Sequence, residues 1–137
     1  MMKTILIAAS FLFSASLSAA IAVVVHPSNG VELTKEDLSR LYTGRNNNFP
    51  DGSSAVPVNL ADSVPLRAEF DEKALGRSSS QVKAYWSKLV FTGKGTPPKE
   101  VTSAAEVLQL VSNNPSIVGY VDATQVTPAV KVVLTIE

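Results

Sequence analysis

The chain has 137 residues, with 12 basic and 12 acidic side chains and no cysteine. This composition suits one domain and excludes disulfides, thiol catalysis and thiolate metal sites. The bases are scattered, with no run that would follow a nucleic-acid backbone or an anionic membrane surface, so we expect no nucleic-acid partner. A single histidine cannot supply the three or four ligands of a zinc site.

The first twenty residues have the pattern of a secretory signal peptide. Lys3 gives the positive start, residues 5–17 form an apolar run, and residues 18–20 are small enough for a cleavage point. A membrane anchor is the alternative, but a spanning helix needs about 20 apolar residues. We therefore predict a signal peptide at 1–20, a mature domain at 21–137 and a periplasmic location.

The first elements predicted in the mature domain are a strand and a helix. Residues 21–25 form a short, continuous, β-branched run, which is typical of a strand buried on both faces. Thr34 stands where a helix N-cap is expected, with Asp37 three residues later as its reciprocal partner. Gly44 can end this helix. The side chains whose helical spacing predicts the buried face are Leu38, Leu41 and Tyr42.

The next segment is predicted to be a surface loop. Residues 45–54 are polar and contain three asparagines and a Pro-Asp-Gly turn. The loop is long enough to carry a function, and Arg45 and Phe49 are its candidates for contact with a partner protein. Phe49 has the alternative of folding back over the core. A strand at 55–60 should follow.

Two helices are predicted after this strand. The first follows Asp62 and stops at Gly76, which can adopt a left-handed conformation. The second opens with Ser78 and Gln81, which have the spacing of a capping box, and its amphipathic pattern is the clearest in the chain. The side chains predicted to face the core are Leu66, Phe70 and Ala74 in the first helix, and Val82, Tyr85, Trp86, Leu89 and Val90 in the second.

A last helix and two strands complete the chain. Ser103 and Glu106 form a third capping pair, and strands are predicted at 117–121 and 130–136. Strands that alternate with helices predict an α/β fold, in which helices cover both faces of a mixed, largely parallel sheet. The core-facing residues predicted in the last helix are Ala104, Val107, Leu108 and Val111.

The strongest candidate for chemistry is the turn at 59–67, where a strand ends and a helix begins. Helix N-termini present unpaired amides and the positive end of the helix dipole, which favour an anion. Ser63 adds a hydroxyl, and Arg67 could add guanidinium donors. The alternative is helix capping alone, with Asp62 or Ser63 as the N-cap. Pro65 would then lie in the first turn and Arg67 on a solvated face.

Several segments of the mature chain resemble the second lobe of the phosphate-binding component of phosphate ABC transporters. They are 41–45, 49–52, 56–60, 62–70 and 118–121. The chain is too short to supply the other lobe. The resemblance implies a single three-layer lobe of the type 2 periplasmic binding fold, with a mixed, mostly parallel sheet flanked by helices. It also implies a non-enzymatic protein without a cofactor that binds phosphate or a similar oxyanion.

The resemblance places the oxyanion at the turn before the second helix, where the family has an arginine ahead of a Ser-Gly-Thr cluster. Ser63 matches part of this cluster. Asp62 would repel a fully ionised anion, although an aspartate can accept a hydrogen bond from a protonated one. The residues expected at the anion site are Asp62, Ser63, Val64, Leu66 and Arg67.

The same turn also departs from the family pattern. Val64 stands where a glycine would let the anion approach the backbone, and Pro65 has no amide to donate. Asn59 and Leu60 stand where the arginine is expected. A charge-assisted contact, typically about 1.5–3 kcal/mol, is missing unless Arg67 replaces it.

Two functions from different classes are consistent with these observations. The first is a periplasmic solute-binding-like protein that binds phosphate or another oxyanion in phosphate uptake or sensing. A solitary lobe leaves the anion open to water, so a membrane permease or a second copy of the chain would have to close over it. The alternative is an adaptor domain that keeps the lobe but binds a protein, such as a sensor or an outer-membrane porin.

Overall fold

The computed structural model describes residues 20–137. The predicted signal peptide at 1–20 lies outside the described residues except for Ala20, and its boundary with the domain stays a prediction. The described helices and strands are β1 (Ile21–Val25), α1 (Lys35–Tyr42), β2 (Val56–Leu60), α2 (Pro65–Phe70), α3 (Ser79–Phe91), β3 (Lys99–Val101), α4 (Ala104–Asn113), β4 (Ile117–Asp122) and β5 (Lys131–Ile136). A π-helical turn, Asp71–Leu75, continues α2, and a 3-10 turn, Ala123–Gln125, follows β4.

The strands form one mixed sheet in the order β3, β2, β4, β1, β5. β2 is parallel to both β3 and β4, whereas β1 is antiparallel to β4 and to β5. Four of the five described strands therefore run in one direction. The predicted mixed, mostly parallel sheet is confirmed, and the carboxyl ends of β2, β3 and β4 meet at one edge.

Helices cover both faces of this sheet. Successive side chains of a strand point to opposite faces, so Gly119 and Tyr120 in β4 face the helices on opposite sides of the sheet. A Cβ atom on Gly119 would lie only 2.6 Å from Cγ1 of Val107, so glycine lets α4 pack closely on one face. The ring of Tyr120 stacks on Phe70 of α2 at the other face, with 3.8 Å between centroids. The predicted three-layer lobe is confirmed.

The central strands hold most of the core. β1 is buried at every position, and β4 is buried from Ile117 to Val121. A strand that has helices on both faces is apolar along its whole length rather than at alternate positions. This explains why the continuous apolar run at 21–25 predicts β1 correctly.

Two of the three predicted capping pairs are present in full. The amide of Asp37 donates to Thr34 Oγ1 at 3.1 Å, and the amide of Thr34 donates to Asp37 Oδ2 at 3.0 Å. The second pair, which opens α3, is equally complete. At α4, Ser103 accepts from the amide of Glu106, but the Glu106 carboxylate accepts from Thr102 instead of Ser103. The third pair is therefore only half of a capping box.

The structure corrects the sequence prediction in the region of α3. Val82 and Trp86 are buried as expected, but Val90 is 52% exposed because the last turn of α3 projects into solvent. The sequence also gave no indication of β3, which has three residues and only one buried side chain, Val101. Short edge strands of this kind lack the alternating pattern that sequence analysis depends on.

Candidate functional site

A tight turn joins β2 to α2 at the edge where the carboxyl ends of β2, β3 and β4 meet. The amide of Val64 donates to the Ala61 carbonyl at 2.9 Å, and the amide of Arg67 donates to the Val64 carbonyl at 3.0 Å. The amides of Ser63 and Leu66 make no hydrogen bond with the described residues. Two backbone donors are therefore free at the start of α2.

The start of α2 differs from the predicted cap. Val64 is the N-cap residue and offers no side-chain hydrogen bond, so the expectation that Asp62 or Ser63 caps the helix is wrong. Pro65 is the first helical residue, as predicted, where its missing amide costs little. Because no side chain caps the helix, its first amides stay available for a ligand.

A groove of about 500 Å³, here called the turn groove, lies beside this turn. One side consists of residues at the start of α2, and the opposite side follows the ends of β3 and β4. The strand-end residues are the ones that sequence reasoning missed. The rule that ligands bind outside the carboxyl ends of strands would have pointed to them. The lining residues that matter most are Val64, Pro65, Leu66, Thr102, Ser103 and Thr124.

The turn groove is also lined by two carboxylates, Glu69 and Asp122, and by no base. Glu69 Oε2 is buried and has no hydrogen-bond partner among the described residues. Asp122 accepts from the amide of Thr124 at 2.9 Å, and this bond holds the pKa of Asp122 below its usual value. The groove thus repels a fully ionised anion but offers acceptors to an oxyanion that carries a proton.

Arg67 lies in a buried ion pair rather than on a solvated face, which corrects the capping alternative. It is 6% exposed, and its Nε donates to both carboxylate oxygens of Asp71 at 2.9 and 3.1 Å. Its Nη1 donates to the Leu60 carbonyl at 2.8 Å and to Glu100 Oε1 at 3.3 Å. These bonds occupy most of the guanidinium, so Arg67 does not supply the missing arginine in the way the sequence suggests.

The residues expected at the anion site fall into separate places. Val64 and Leu66 line the turn groove. Asp62 and Arg67 line a second groove of about 580 Å³, which extends along α3. Ser63 is exposed and lines neither groove. The structure therefore brings Val64 and Leu66 together and leaves Asp62 and Arg67 on another side of the turn.

Burial and neighbouring groups shift the pKa values of both members of the Arg67–Asp71 ion pair. Burial lowers the pKa of the Arg67 guanidinium, but the charge of Asp71 and several smaller effects, among them the hydrogen bonds to Asp71 and Glu100, together outweigh burial and leave that pKa raised. Burial raises the pKa of the Asp71 carboxyl, and the bonds from Ser79 and Arg67 offset only part of this effect. Ser79 Oγ donates to Asp71 Oδ2 at 2.8 Å and so links α3 to the pair. The cluster ties α2, α3 and the end of β2 together.

An aromatic cluster packs near the carboxyl end of β2 and is hydrogen-bonded to it. Phe70 stacks on Tyr120 and meets the edge of Tyr42 at 4.8 Å. The Tyr120 hydroxyl donates to Asn59 Oδ1 and accepts from the amide of Leu60 at 3.4 Å. Burial raises the pKa of Tyr120, so its hydroxyl stays neutral. These contacts fix the strand end from which the turn begins.

The loop at 45–54 is less available to a partner than predicted. Phe49 is only 2% exposed and belongs to the core, and its amide donates to the Ser53 carbonyl at 2.8 Å. The alternative in which Phe49 folds over the core is therefore correct, and Phe49 cannot dock a partner. Arg45 is exposed.

Among residues 20–137, no three or more His, Cys, Asp or Glu side chains are grouped so that they could hold a metal ion. No helix there has both the length and the apolar character needed to cross a membrane.

The fold matches solved structures of phosphate transport proteins. An ABC-type phosphate transport receptor from Vibrio cholerae superposes with a TM-score of 0.66 at 23% identity, over 84% of this chain and 46% of the receptor. A phosphate ABC transporter substrate-binding protein with bound phosphate from Clostridium perfringens gives 0.66 at 22% identity, over 84% and 45%. PstS from Borrelia burgdorferi gives 0.55 at 16% identity, over 77% and 42%.

The chain thus spans less than half the length of the structures that it matches. No protein-family model matches the sequence, and no curated protein matches it. The matched structures are transport receptors and substrate-binding proteins. The described chain therefore has the fold of a single lobe of the substrate-binding component of phosphate ABC transporters.

Proposed function

We propose that the chain is an extracytoplasmic, non-enzymatic, solute-binding-like protein that binds phosphate or a similar oxyanion in phosphate uptake or sensing. The observation that carries the proposal is the pair of free amides, of Ser63 and Leu66, at the start of α2, where Leu66 lines the turn groove. Amides at a helix start and the helix dipole both favour an anion. The shared fold with phosphate transport receptors supports this ligand class. The location depends on the predicted signal peptide at 1–20.

The affinity should be low for the isolated chain. A single lobe covers the anion from one side only, so water competes for every hydrogen bond. We expect a Kd of about 1 mM, which corresponds to about −4 kcal/mol. A membrane permease, or a second copy of the chain, would raise the affinity by closing over the turn groove.

Calorimetry with phosphate tests this proposal directly. Ser63→Asp places a negative charge at the free amides and should weaken phosphate binding by roughly tenfold or more, because like charges repel. Ser80→Asp makes the same change at an exposed position near the start of α3 and should leave binding unchanged. Equal affinities of both variants and the natural chain would exclude the turn as the site.

The pH dependence of phosphate binding gives a second prediction. Lowering the pH from about 8 to about 6 should strengthen binding five- to tenfold, because the singly charged dihydrogen phosphate ion, which the carboxylates repel less and which can donate to Glu69, becomes the main species. Asp122 keeps its charge over this range, since its pKa is lowered. Sulfate does not titrate there, so its binding should be weaker and independent of pH. Stronger phosphate binding at the higher pH would contradict the role of Glu69.

The adaptor alternative has a narrower basis. Burial of Phe49 removes the aromatic anchor from the loop at 45–54 and leaves Arg45 as its exposed candidate. A sensor or porin partner that binds this loop would have to depend on polar contacts. Oxyanion binding is therefore the function that the described geometry favours.

A further inference from the structure

Residues 77–99 differ in charge from the rest of the protein. They carry five bases and no acid, whereas the rest of residues 20–137 carries six bases and twelve acids. The bases are five or six positions apart, so the sequence shows no basic run. The fold nevertheless gathers them along α3 and the loop that follows it.

The same region has the most exposed large apolar side chain that the structure describes. Phe91, the last residue of α3, is 92% exposed, and its neighbour Val90 is 52% exposed. At about 100° per residue, Phe91 points between Lys83 and Lys88, which lie 60–80° to either side of it. Lys94 follows in the next loop. We call this group the α3 surface; it consists of Lys83, Lys88, Val90, Phe91 and Lys94.

The lysines of the α3 surface are not neutralised within the chain. Among residues 20–137, no carboxylate lies within ion-pair distance of Lys83, Lys88 or Lys94, and all three are exposed. A positive surface with an exposed phenylalanine at its centre complements an anionic surface that has an apolar layer beneath its charges.

We propose that the α3 surface docks on a membrane surface of anionic phospholipids, with Phe91 inserted among the headgroups. Lysine is depleted at protein interfaces, where arginine is enriched, and four of the five bases at 77–99 are lysines. Lysines around an aromatic residue are instead typical of helices that lie on membranes. The acidic remainder of the protein would be repelled and would turn the α3 surface toward the lipid.

Sedimentation with lipid vesicles tests the proposal, using the chain from Ala20 onward, which contains every described element. It should bind vesicles of about 30% phosphatidylglycerol in phosphatidylcholine, and high salt should release it, because the Debye length falls from about 10 Å at 0.1 M to 3 Å at 1 M. Lys88→Gln should weaken binding about fivefold. Phe91→Ser should weaken it roughly tenfold, because its ring is no longer buried.

Lys35→Gln is the matched control, because it removes one exposed lysine from α1, away from the α3 surface. It should change vesicle binding by less than twofold. Equal loss in Lys35→Gln and Lys88→Gln, or equal binding to pure phosphatidylcholine, would overturn the proposal. Absence of binding to the anionic vesicles at low salt would also overturn the membrane proposal. An acidic protein would then be the alternative partner for the α3 surface. Unchanged urea midpoints verify that each variant is folded.

Discussion

Asp71→Ala is expected to lower the free energy of unfolding by about 3–5 kcal/mol, because it leaves a buried guanidinium without its partner. Asp71 has no exposed surface, and its contact with Arg67 Nε is 2.9 Å. Urea unfolding followed by the fluorescence of Trp86, the one tryptophan in the chain, measures the loss. Glu72→Ala removes an exposed neighbouring carboxylate and should cost less than about 0.5 kcal/mol.

A double variant separates the ion pair from its individual charges. Replacing Arg67 by Met and Asp71 by Leu together should recover most of the stability, because apolar side chains of similar size do not leave a buried charge. A double variant that is as unstable as Asp71→Ala would show that the bonds to Leu60 and Glu100 matter more than the pair itself. A loss below about 1 kcal/mol in Asp71→Ala would contradict the buried network.

Phe70→Ala should lower the free energy of unfolding by a similar amount, about 3–5 kcal/mol, because it opens a cavity in the aromatic cluster. Phe70 is fully buried between Tyr120, at 3.8 Å, and Tyr42, at 4.8 Å. Phe91→Ala is the matched control, since it makes the same change at a side chain that is 92% exposed. Its cost should stay within about 0.5 kcal/mol.

The Phe70 cavity should also affect the candidate site. Tyr120 bonds to Asn59 and Leu60 at the end of β2, so a ring that shifts into the cavity would loosen the start of the turn. We therefore expect phosphate binding to weaken in Phe70→Ala under conditions where the variant is still folded. Stability equal to that of Phe91→Ala would show that the cluster does not hold the lobe together.

Local signals predicted most of the fold. The continuous run of β1, the Thr34 cap and the glycine at 76 each act through neighbouring residues, so sequence spacing reveals them. Other features could not be predicted because they depend on contacts with residues distant in the sequence. Phe49 lies in a polar segment and gains its burial from the core, and β3 exists because β2 pairs with it.

The site was harder to predict than the fold. The spacing of four between Arg67 and Asp71 is a known signature of a helical ion pair, and it was present in the sequence. Glu100, 33 residues away, could not be placed beside Arg67 without the sheet. The resemblance to phosphate-binding proteins rests on turn and core residues. It therefore predicts the lobe better than it predicts the contacts of an anion.

Backbone amide spectra of the ¹⁵N-labelled chain from Ala20, recorded during a phosphate titration, test whether phosphate binds at the turn between β2 and α2. We expect saturable shifts that are largest for the free amides of Ser63 and Leu66, and their loss in Ser63→Asp but not in Ser80→Asp. Shifts that do not saturate, or that centre on residues away from this turn, would contradict phosphate binding at this site.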